Sequence, residues 1–241
     1  MSFLKKKIFE FAPQHWMVQH PILAHTFFWE NPDGTLSIFD AGTSLRDAEK
    51  VISAIRILGY SLNIVKDLII SHCHFDHIGG LPVFKRMIPK LRVTAHRIEV
   101  HFLNSPYSLD SRHLKGIARW FFIPLFKRYD TRPIIIDQPV TSKTTHRFFN
   151  FIHMPGHTLG SMALHIKNSG IILTGDALYT GKNGHISYSP PIFSIDPTLE
   201  RRSVKKLVEY DLDYDTMVSS HGKSINEAKK HLEQFIARSN L

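Results

Sequence analysis

The sequence has 241 residues, of which 43% are hydrophobic and 21% are charged, and it carries a formal charge of +9 with a pI near 9.6. This ordinary globular composition excludes a repeat or low-complexity protein, and the length favours a single domain over residues 1–241. The basic residues are dispersed, so the charge predicts a solvated basic surface rather than a nucleic-acid site.

No targeting or membrane segment is expected. The N-terminus MSFLKKKIFEFAPQHW lacks a long apolar stretch followed by a small-residue cleavage site, which argues against a cleaved secretory signal. The most apolar run, Trp120–Phe126, is far shorter than the roughly 18 to 20 residues that span a bilayer. The single cysteine, Cys73, cannot form an internal disulfide. We therefore expect a cytoplasmic protein.

The first third predicts strands followed by a helix and another strand. A turn at 31–34 separates predicted strands at 22–29 and 36–40. Ser44 is the predicted N-cap of a helix whose apolar residues recur at helical spacing until Gly59. Residues 65–70 then predict a buried strand.

The middle of the chain predicts a short helix, a strand near 92–95 and a helical insertion at about 97–132. The insertion contains an aromatic run with basic ends, RWFFIPLFKR at 119–128. This run is consistent with a flap over a substrate, a membrane-contacting element or a simply packed insertion. The sequence leaves these three roles open.

The second half is again rich in strands, predicted at 134–136, 147–153, 161–167, 171–173 and 216–219. Asp196 is the predicted N-cap of one helix, and Ser224 with Glu227 forms a capping box for the last. Both halves therefore combine strands with helices. This organisation predicts an α/β fold of four layers, with two mixed sheets packed face to face and helices outside.

Sixteen histidines are the unusual feature of the composition. The stretch SHCHFDHIGG at 71–80 directly follows the predicted buried strand. Alternation along an extended segment places His72 and His74 on one side and Cys73 on the other. Asp76 and His77 follow where the chain must turn, and Gly79 and Gly80 are expected to allow that turn. Four side chains that can bind a metal thus come from one loop.

Three further residues of this kind lie in or just after predicted strand ends. His157 occurs in MPGHTLG, Asp176 in LTGDA and His221 in SSHG. Loops at one edge of a sandwich can bring all of these side chains together. Cys73 is expected to be a small buried hydrophobe that does not bind metal.

The motifs HxHxDH, GH, GD and HG, in this order, resemble those of metallo-β-lactamase-fold hydrolases from about Ile22 to the C-terminus. The resemblance implies two metal sites that share one bridging carboxylate, Asp176. The ligands of the first site would be His72, His74 and His157, and those of the second Asp76, His77 and His221. Imidazole and carboxylate ligands without thiolate favour two zinc ions, with iron or manganese as the alternatives.

The resemblance also indicates which residues take part in catalysis. Two metals that share a carboxylate can hold a hydroxide nucleophile, because metal binding lowers the pKa of water towards neutrality. Asp76 and Asp176 are therefore catalytic as well as metal-binding candidates. Tyr179 is the third, since acyl-homoserine lactonases of this fold have a tyrosine at this offset that contacts the substrate oxygen.

Other polar residues are expected to have supporting roles. Asp40 matches a position where this fold usually places an aspartate behind the metal loop; the alternative is an ordinary turn carboxylate. Thr158 and Ser161 are expected to organise the turn after His157. His153 and His185 lie near the motifs but off the pattern, so each is predicted to be structural or to line a pocket.

These considerations favour a dinuclear zinc hydrolase of ester-like carbonyl compounds, with a lactone as the leading small-molecule substrate. A thioester hydrolase of glyoxalase-II type is the next alternative, followed by a phosphodiesterase or nuclease. A mononuclear iron persulfide dioxygenase and a non-catalytic metal-binding domain are less favoured. Nucleic acid is not an expected partner, and the fold is compatible with a homodimer whose interface the sequence does not indicate.

Overall fold

The computed structural model describes residues 7–20, 23–104 and 134–239. These residues form two compact units. Among them, the first unit comprises 7–20, 23–95, 100–104 and 134–139, and the second comprises 96–99 and 140–239. No helix in the described ranges is long and apolar enough to cross a membrane. The predicted insertion lies largely outside the described residues: helix α4, Arg97–Leu103, covers its start, and the aromatic run at 119–128 is not described.

The first unit is built around a mixed sheet with the strand order β1 to β7 among the described residues. Its strands are β1 Ile8–Ala12, β2 His15–Val18, β3 Thr26–Glu30, β4 Leu36–Phe39, β5 Val65–Ile70, β6 Arg92–His96 and β7 Gln138–Val140. The first four strands pair antiparallel, whereas β4, β5 and β6 run parallel. The predicted strands at 36–40, 65–70 and 92–95 are confirmed, and β1 and β2 were not predicted.

Helices α1 Leu45–Ile57, α2 Phe75–Ile78 and α3 Leu81–Met87 belong to the same unit. Helix α1 begins as predicted, because the Ser44 side chain accepts a hydrogen bond from the Asp47 backbone N–H. Its apolar face is buried at Ala48, Val51 and Ile55. The large side chains of β3 to β5 are also fully buried, so both faces of these strands contribute to the core.

The second unit contains a four-stranded mixed sheet in the order β13, β10, β9, β8, within the described residues. These strands are β8 Phe149–His153, β9 Met162–Ile166, β10 Ile171–Leu173 and β13 Thr216–Val218, and a hairpin joins β11 Tyr179–Thr180 to β12 Ile186–Ser187. Strands β8, β9 and β10 pair antiparallel, and β10 pairs parallel with β13. Helices α5 Pro197–Glu209 and α6 Ala228–Arg238 pack on a core that includes Ile172, Leu207 and Leu232.

Two predictions of local structure are wrong. Residues 134–136 form no strand; instead the Asp137 carboxylate accepts from the Val93 backbone N–H at 2.7 Å, taking the place of a strand carbonyl, and β7 begins afterwards. The capping box of the last helix is also absent, because Ile225 and Met217 exchange backbone hydrogen bonds of 2.9 Å in an antiparallel bridge. The chain is therefore still extended at Ile225, and α6 begins only after Glu227, whose side chain makes no cap bond.

Candidate metal centre

The histidines of the HxHxDH motif lie at the end of β5, where the buried strand gives way to α2. His72, Asp76 and His77 are buried, and His74 is the N-cap residue of α2 with extended backbone angles. Candidate ligand atoms of His72 and His74 lie within 4.8 Å of one another, as do those of His72 and His77. The predicted placement of His72 and His74 on one side is therefore confirmed. Asp76 Oδ1 lies 3.7 Å from His77 Nε2.

Asp40 holds this loop from behind. Its Oδ1 accepts from the Ser71 backbone N–H at 2.8 Å, and its Oδ2 accepts from Ser71 Oγ at 2.9 Å and lies 2.7 Å from His77 Nδ1. Asp40 is fully buried and adopts a left-handed φ of 63°. A carboxylate at this distance favours a proton on Nδ1, so the lone pair of His77 is on Nε2, the nitrogen available to a metal. The sequence prediction that Asp40 lies behind the loop agrees with this geometry.

Gly79 and Gly80 are required for a different reason from the predicted one. Their φ values, −60° and −86°, are ordinary right-handed values that any residue adopts. However, a Cβ at Gly79 would lie 1.9 Å from the Thr43 carbonyl oxygen, and one at Gly80 would lie 2.2 Å from that of Ala41. The glycines thus permit close backbone packing against the segment that follows Asp40.

Cys73 is fully buried as a thiol rather than as half of a disulfide. It belongs to none of the side-chain groups that could hold a metal in the described part of the chain. We expect Cys73→Ser to keep its full metal content and to lose about 1–3 kcal/mol of stability, because a hydroxyl is buried in place of a thiol. Elemental analysis beside the ligand variant His72→Ala tests this, and folded Cys73→Ser protein without metal would contradict it.

The His157 loop follows β8 and is organised by side chains on both sides of the histidine. The Thr158 backbone N–H donates to Ser161 Oγ at 2.9 Å, and the Thr158 hydroxyl donates to Glu99 Oε1 at 2.8 Å. The Gly160 N–H donates to the same Glu99 oxygen at 2.7 Å. The predicted role of Thr158 and Ser161 is confirmed, whereas the fully buried Glu99 was missed because it is far away in sequence.

Asp176 lies between the other two candidate ligands of the second unit. Its Oδ2 is 3.1 Å from His221 Nε2 and 3.7 Å from His157 Nε2. The Tyr179 hydroxyl lies 3.5 Å from the same Oδ2, and the Tyr179 ring lies 5.2 Å from that of His221. The sequence-predicted residues of this unit are therefore brought together around one carboxylate oxygen.

Hydrogen bonds between Thr180 and Ser219 hold the His221 loop beside the Asp176 segment. The Thr180 N–H donates to Ser219 Oγ at 2.9 Å, and the Ser219 N–H donates to Thr180 Oγ1 at 3.1 Å. Gly222 packs against the same point, since a Cβ there would lie 2.1 Å from the Thr180 carbonyl oxygen. Neither Thr180 nor Ser219 was predicted as a site residue.

A buried polar cluster behind His157 was also missed. Ser189 Oγ and Ser194 Oγ lie 3.2 Å and 3.4 Å from His157 Nδ1. Both hydroxyls also contact the carboxylate of Glu200, which is only 1% exposed. The single sequence signal was a glutamate in the first turn of the helix predicted at Asp196, a position that usually indicates only helix-dipole stabilisation.

The two histidines predicted to be off the pattern have no ligand geometry in the described residues. His153 stacks on His96 with ring centres 4.0 Å apart, and its Nε2 lies 2.9 Å from the Leu159 carbonyl oxygen. Burial, with added repulsion from His153 and Arg97, lowers the pKa of His96 to about 4. His185 is exposed between β11 and β12.

The candidate donor side chains fit a metal. Histidine and aspartate groups that could hold an ion are present, and they combine the imidazole and carboxylate ligands that suit zinc. In both His77 and His157, Nδ1 lies within 3.4 Å of hydroxyl or carboxylate oxygens, as expected of a histidine whose Nε2 binds a metal.

Known proteins with similar sequences include metallo-hydrolases. The Bacillus subtilis (strain 168) protein "Probable metallo-hydrolase YybB" is 27% identical over 225 residues, which are 90% of this chain and 89% of that protein. The Bos taurus acyl-coenzyme A thioesterase MBLAC2 is 29% identical over 119 residues, 46% of this chain and 40% of that protein. The Bacillus thuringiensis N-acyl homoserine lactonase is 23% identical over 168 residues, 68% of this chain and 58% of that protein.

Solved structures and a family model agree with these similarities. A metallo-beta-lactamase with a HARLDQ motif from Cronobacter sakazakii matches with a TM-score of 0.68 at 16% identity, over 99% of this chain and 89% of that chain. The predicted α/β fold with mixed sheets and helices is thereby confirmed. The model of the metallo-beta-lactamase superfamily matches residues 24–221. This chain belongs to the metallo-beta-lactamase superfamily.

Proposed function

We propose that this protein is a dinuclear zinc hydrolase of ester-like carbonyl compounds, with lactones as the leading substrate class. The observation that carries the proposal is the complete ligand set, His72, His74, Asp76 and His77 in one unit and His157, Asp176 and His221 in the other. Membership of a metal-dependent superfamily and similarity to a metallo-hydrolase and a lactonase support it.

Each ligand has a proposed place in this centre. His72, His74 and His157 would hold one zinc ion, Asp76, His77 and His221 would hold the second, and Asp176 would bind both. Zinc, when bound, lowers the pKa of water so that hydroxide is available near neutral pH, and it polarises a carbonyl oxygen. The chain's own contribution is to orient the imidazoles, through Asp40 at His77 and through the serines at His157.

Tyr179 is the proposed substrate contact. Its hydroxyl lies beside Asp176 Oδ2, and its ring packs beside His221, so the phenol O–H is held next to the ligands of its unit. From this position it can donate a hydrogen bond to a substrate oxygen on which negative charge develops. Asp76 and Asp176 are also proposed to be catalytic, because as ligands they would hold the zinc ions in place for the reaction.

Two measurements test the proposal. Protein purified without added metal should contain about two zinc ions per chain; one iron ion per chain would contradict a dinuclear zinc centre and favour dioxygenase chemistry. The same protein should then be assayed with a lactone, a thioester, nitrocefin and bis-p-nitrophenyl phosphate. Lactone hydrolysis should be fastest, and a protein inactive on the whole panel would favour a non-catalytic metal-binding domain.

We expect Tyr179→Phe to retain its zinc and to lose about a hundredfold in kcat for a lactone, the loss typical of removing one hydrogen-bond donor to a developing oxyanion. Steady-state kinetics with parallel zinc analysis measures both effects. Tyr60→Phe, which removes a hydroxyl bonded to Glu30 at 2.7 Å, is the control and should leave kcat unchanged. Unchanged lactone turnover in Tyr179→Phe would remove the reason for ranking lactones first.

A thioester whose thiol component is negatively charged, such as an acyl-coenzyme A, is the second candidate substrate, because the second unit has a basic groove. The groove has a volume of about 550 Å³ and is lined by Ser142, His153, Pro155, Leu199, Arg202, Ser203, Lys205, Lys206, Glu209 and Tyr210. Arg202, Lys205 and Lys206 are exposed on one face of α5, opposed by a single carboxylate, Glu209. Pro155 connects the groove to the His157 loop two residues further on.

The groove predicts that the negative charge of the coenzyme A group, and not only the acyl chain, contributes to binding of the thioester. The double variant Lys205→Glu/Lys206→Glu should raise KM for an acyl-coenzyme A by roughly tenfold or more, since each charge-assisted bond contributes about 1.5–3 kcal/mol. KM for the uncharged N-acetylcysteamine thioester should not change. Arg201→Glu is the matched control, because the Arg201 guanidinium lies over the Tyr188 ring at 5.4 Å and does not line the groove. Equal effects on both thioesters would exclude the groove as a coenzyme A site.

A further inference from the structure

Glu200 is a buried carboxylate outside the proposed ligand set. It lies in the first turn of α5 and is 1% exposed. Its Oε1 lies 2.6 Å from Ser189 Oγ, and its Oε2 lies 2.6 Å from Ser194 Oγ. Burial raises the pKa of Glu200 above its ordinary value, although the bonds from the two serines oppose this. Burying a carboxylate this deeply costs folding free energy unless its hydrogen bonds compensate for the lost hydration.

The serine hydroxyls connect Glu200 to the imidazole of His157. Ser189 Oγ and Ser194 Oγ are 2.7 Å apart, and both lie within 3.4 Å of His157 Nδ1. The opposite nitrogen of the ring, Nε2, faces Asp176 at 3.7 Å. One edge of the ring therefore contacts the Glu200 cluster, and the other faces a proposed metal ligand.

The hydroxyl protons of Ser189 and Ser194 are taken up by hydrogen bonds within the cluster. If Glu200 is ionised, each serine donates its one proton to a carboxylate oxygen, and both oxygens Oγ are left as acceptors. If Glu200 is protonated, its proton and the two serine protons fill the three short contacts in a ring, again leaving the serines as acceptors. In both arrangements the partner that the cluster needs is an N–H, so His157 carries its proton on Nδ1.

Close backbone packing and backbone hydrogen bonds hold this cluster against the His157 loop. Gly156 has a φ of 141°, and a Cβ there would lie 2.1 Å from the Glu200 backbone nitrogen, so no side chain fits between the loop and α5. The Asp196 N–H donates to the Gly156 carbonyl oxygen at 2.9 Å, and the Ile195 N–H donates to that of His157 at 3.0 Å. Helix α5 thus begins directly on the loop that carries the histidine.

We infer that Glu200 is a positioning residue, which acts through Ser189 and Ser194 to hold His157 as the Nδ1–H tautomer and so keep the Nε2 lone pair directed at a metal. The inference rests on the proposed metal centre for its purpose. The tautomer itself is a property of the protein without metal and can be measured separately.

The informative variant is Glu200→Leu, which is of similar size and has no polar atom in its side chain. Leucine accepts no proton from either serine, so one serine donates to the other and the second donates to His157 Nδ1, which moves the imidazole proton to Nε2. In ¹⁵N NMR spectra of metal-free protein, His157 should be the Nδ1–H tautomer in the wild type and shift towards Nε2–H in the variant. Zinc affinity, from competition with a chelator, should fall about 10- to 100-fold, as for other partners of metal-binding histidines.

Ser203→Ala is the matched control, because the Ser203 hydroxyl also anchors this loop from α5 but donates to the Pro155 carbonyl oxygen at 2.7 Å. It should lower the melting temperature and leave the His157 tautomer unchanged. If Glu200→Leu does not fold, Ser189→Ala/Ser194→Ala makes the same test by removing both acceptors of the Nδ1 proton. Glu200→Gln, whose NH₂ group can take the place of the protonated carboxyl in the ring, should keep the Nδ1–H tautomer. A Glu200→Leu or Ser189→Ala/Ser194→Ala protein that keeps the Nδ1–H tautomer and wild-type zinc affinity overturns the inference, whereas a wild type with the expected tautomer that binds no zinc contradicts only the proposed function.

Discussion

Asp176→Ala is expected to abolish the metal centre. The proposed role of Asp176 as a ligand to both ions means that its loss removes one donor from each site and leaves His157 and His221 without the carboxylate that lies 3.7 Å and 3.1 Å from them. Zinc content should fall from about two ions per chain to less than one. The value of kcat/KM should fall by more than about 100-fold, because mutating a residue that only contacts a metal ligand already costs about 10- to 100-fold. Elemental analysis and steady-state kinetics on the same preparation measure both.

Asp211→Ala serves as the control for a lost carboxylate, because Asp211 is exposed in the same unit. It should keep both zinc and activity. Circular dichroism should show Asp176→Ala to be folded, since the variant relieves a buried charge. Two zinc ions retained in a folded Asp176→Ala protein would show that this carboxylate does not bridge them.

Asp40→Asn is expected to have the second-largest effect. Asp40 accepts bonds from the Ser71 backbone N–H and the Ser71 hydroxyl, and its Oδ2 lies 2.7 Å from His77 Nδ1. An asparagine has one acceptor oxygen and one NH₂ group, so at least one of these donors would face another donor. The expected cost is about 1–3 kcal/mol of stability for the unsatisfied buried group, with a 10- to 100-fold loss of zinc affinity.

Chemical denaturation and chelator competition separate these two effects. Asp67→Asn is the matched control, since Asp67 is a buried carboxylate on β5 that binds Arg92 at 2.6 Å, away from the histidines. It should lose stability without losing zinc affinity. If Asp40→Asn and Asp67→Asn behave alike, Asp40 stabilises the fold and does not orient His77.

Part of the centre follows from local chemistry alone. His72 and His74 are two residues apart after a buried strand, so alternation places them on one side, and the Ser44 cap and the strand at 65–70 follow from equally short-range patterns. The Asp196 cap of α5 is confirmed for the same reason, because its side chain accepts from the N–H groups of Thr198 and Leu199. That residues 1–241 form a single domain stays a prediction.

Predictions failed where a long-range contact overrode a local pattern. Ser224 and Glu227 have capping-box spacing, but the pairing of Ile225 with Met217 keeps the chain extended there. Residues 134–136 are apolar and β-branched, but the Asp137 side chain occupies the Val93 N–H that a strand would need. In both cases specific hydrogen bonds outweigh a weak intrinsic preference.

The sequence by itself indicated the family and, through that resemblance, the seven candidate ligands, because each of the motifs HxHxDH, GH, GD and HG is a short pattern of residue types. That Cys73 binds no metal stays a prediction. The family resemblance also placed Asp40 behind the metal loop, but only the tertiary structure decided which atoms Asp40 contacts and that Glu200 lies behind His157. Asp40 is 31 residues from Ser71, and Glu200 is 43 residues from His157, so no short-range pattern connects them. Buried imidazoles need partners on the nitrogen that does not face the metal, and folding alone brings those partners into place.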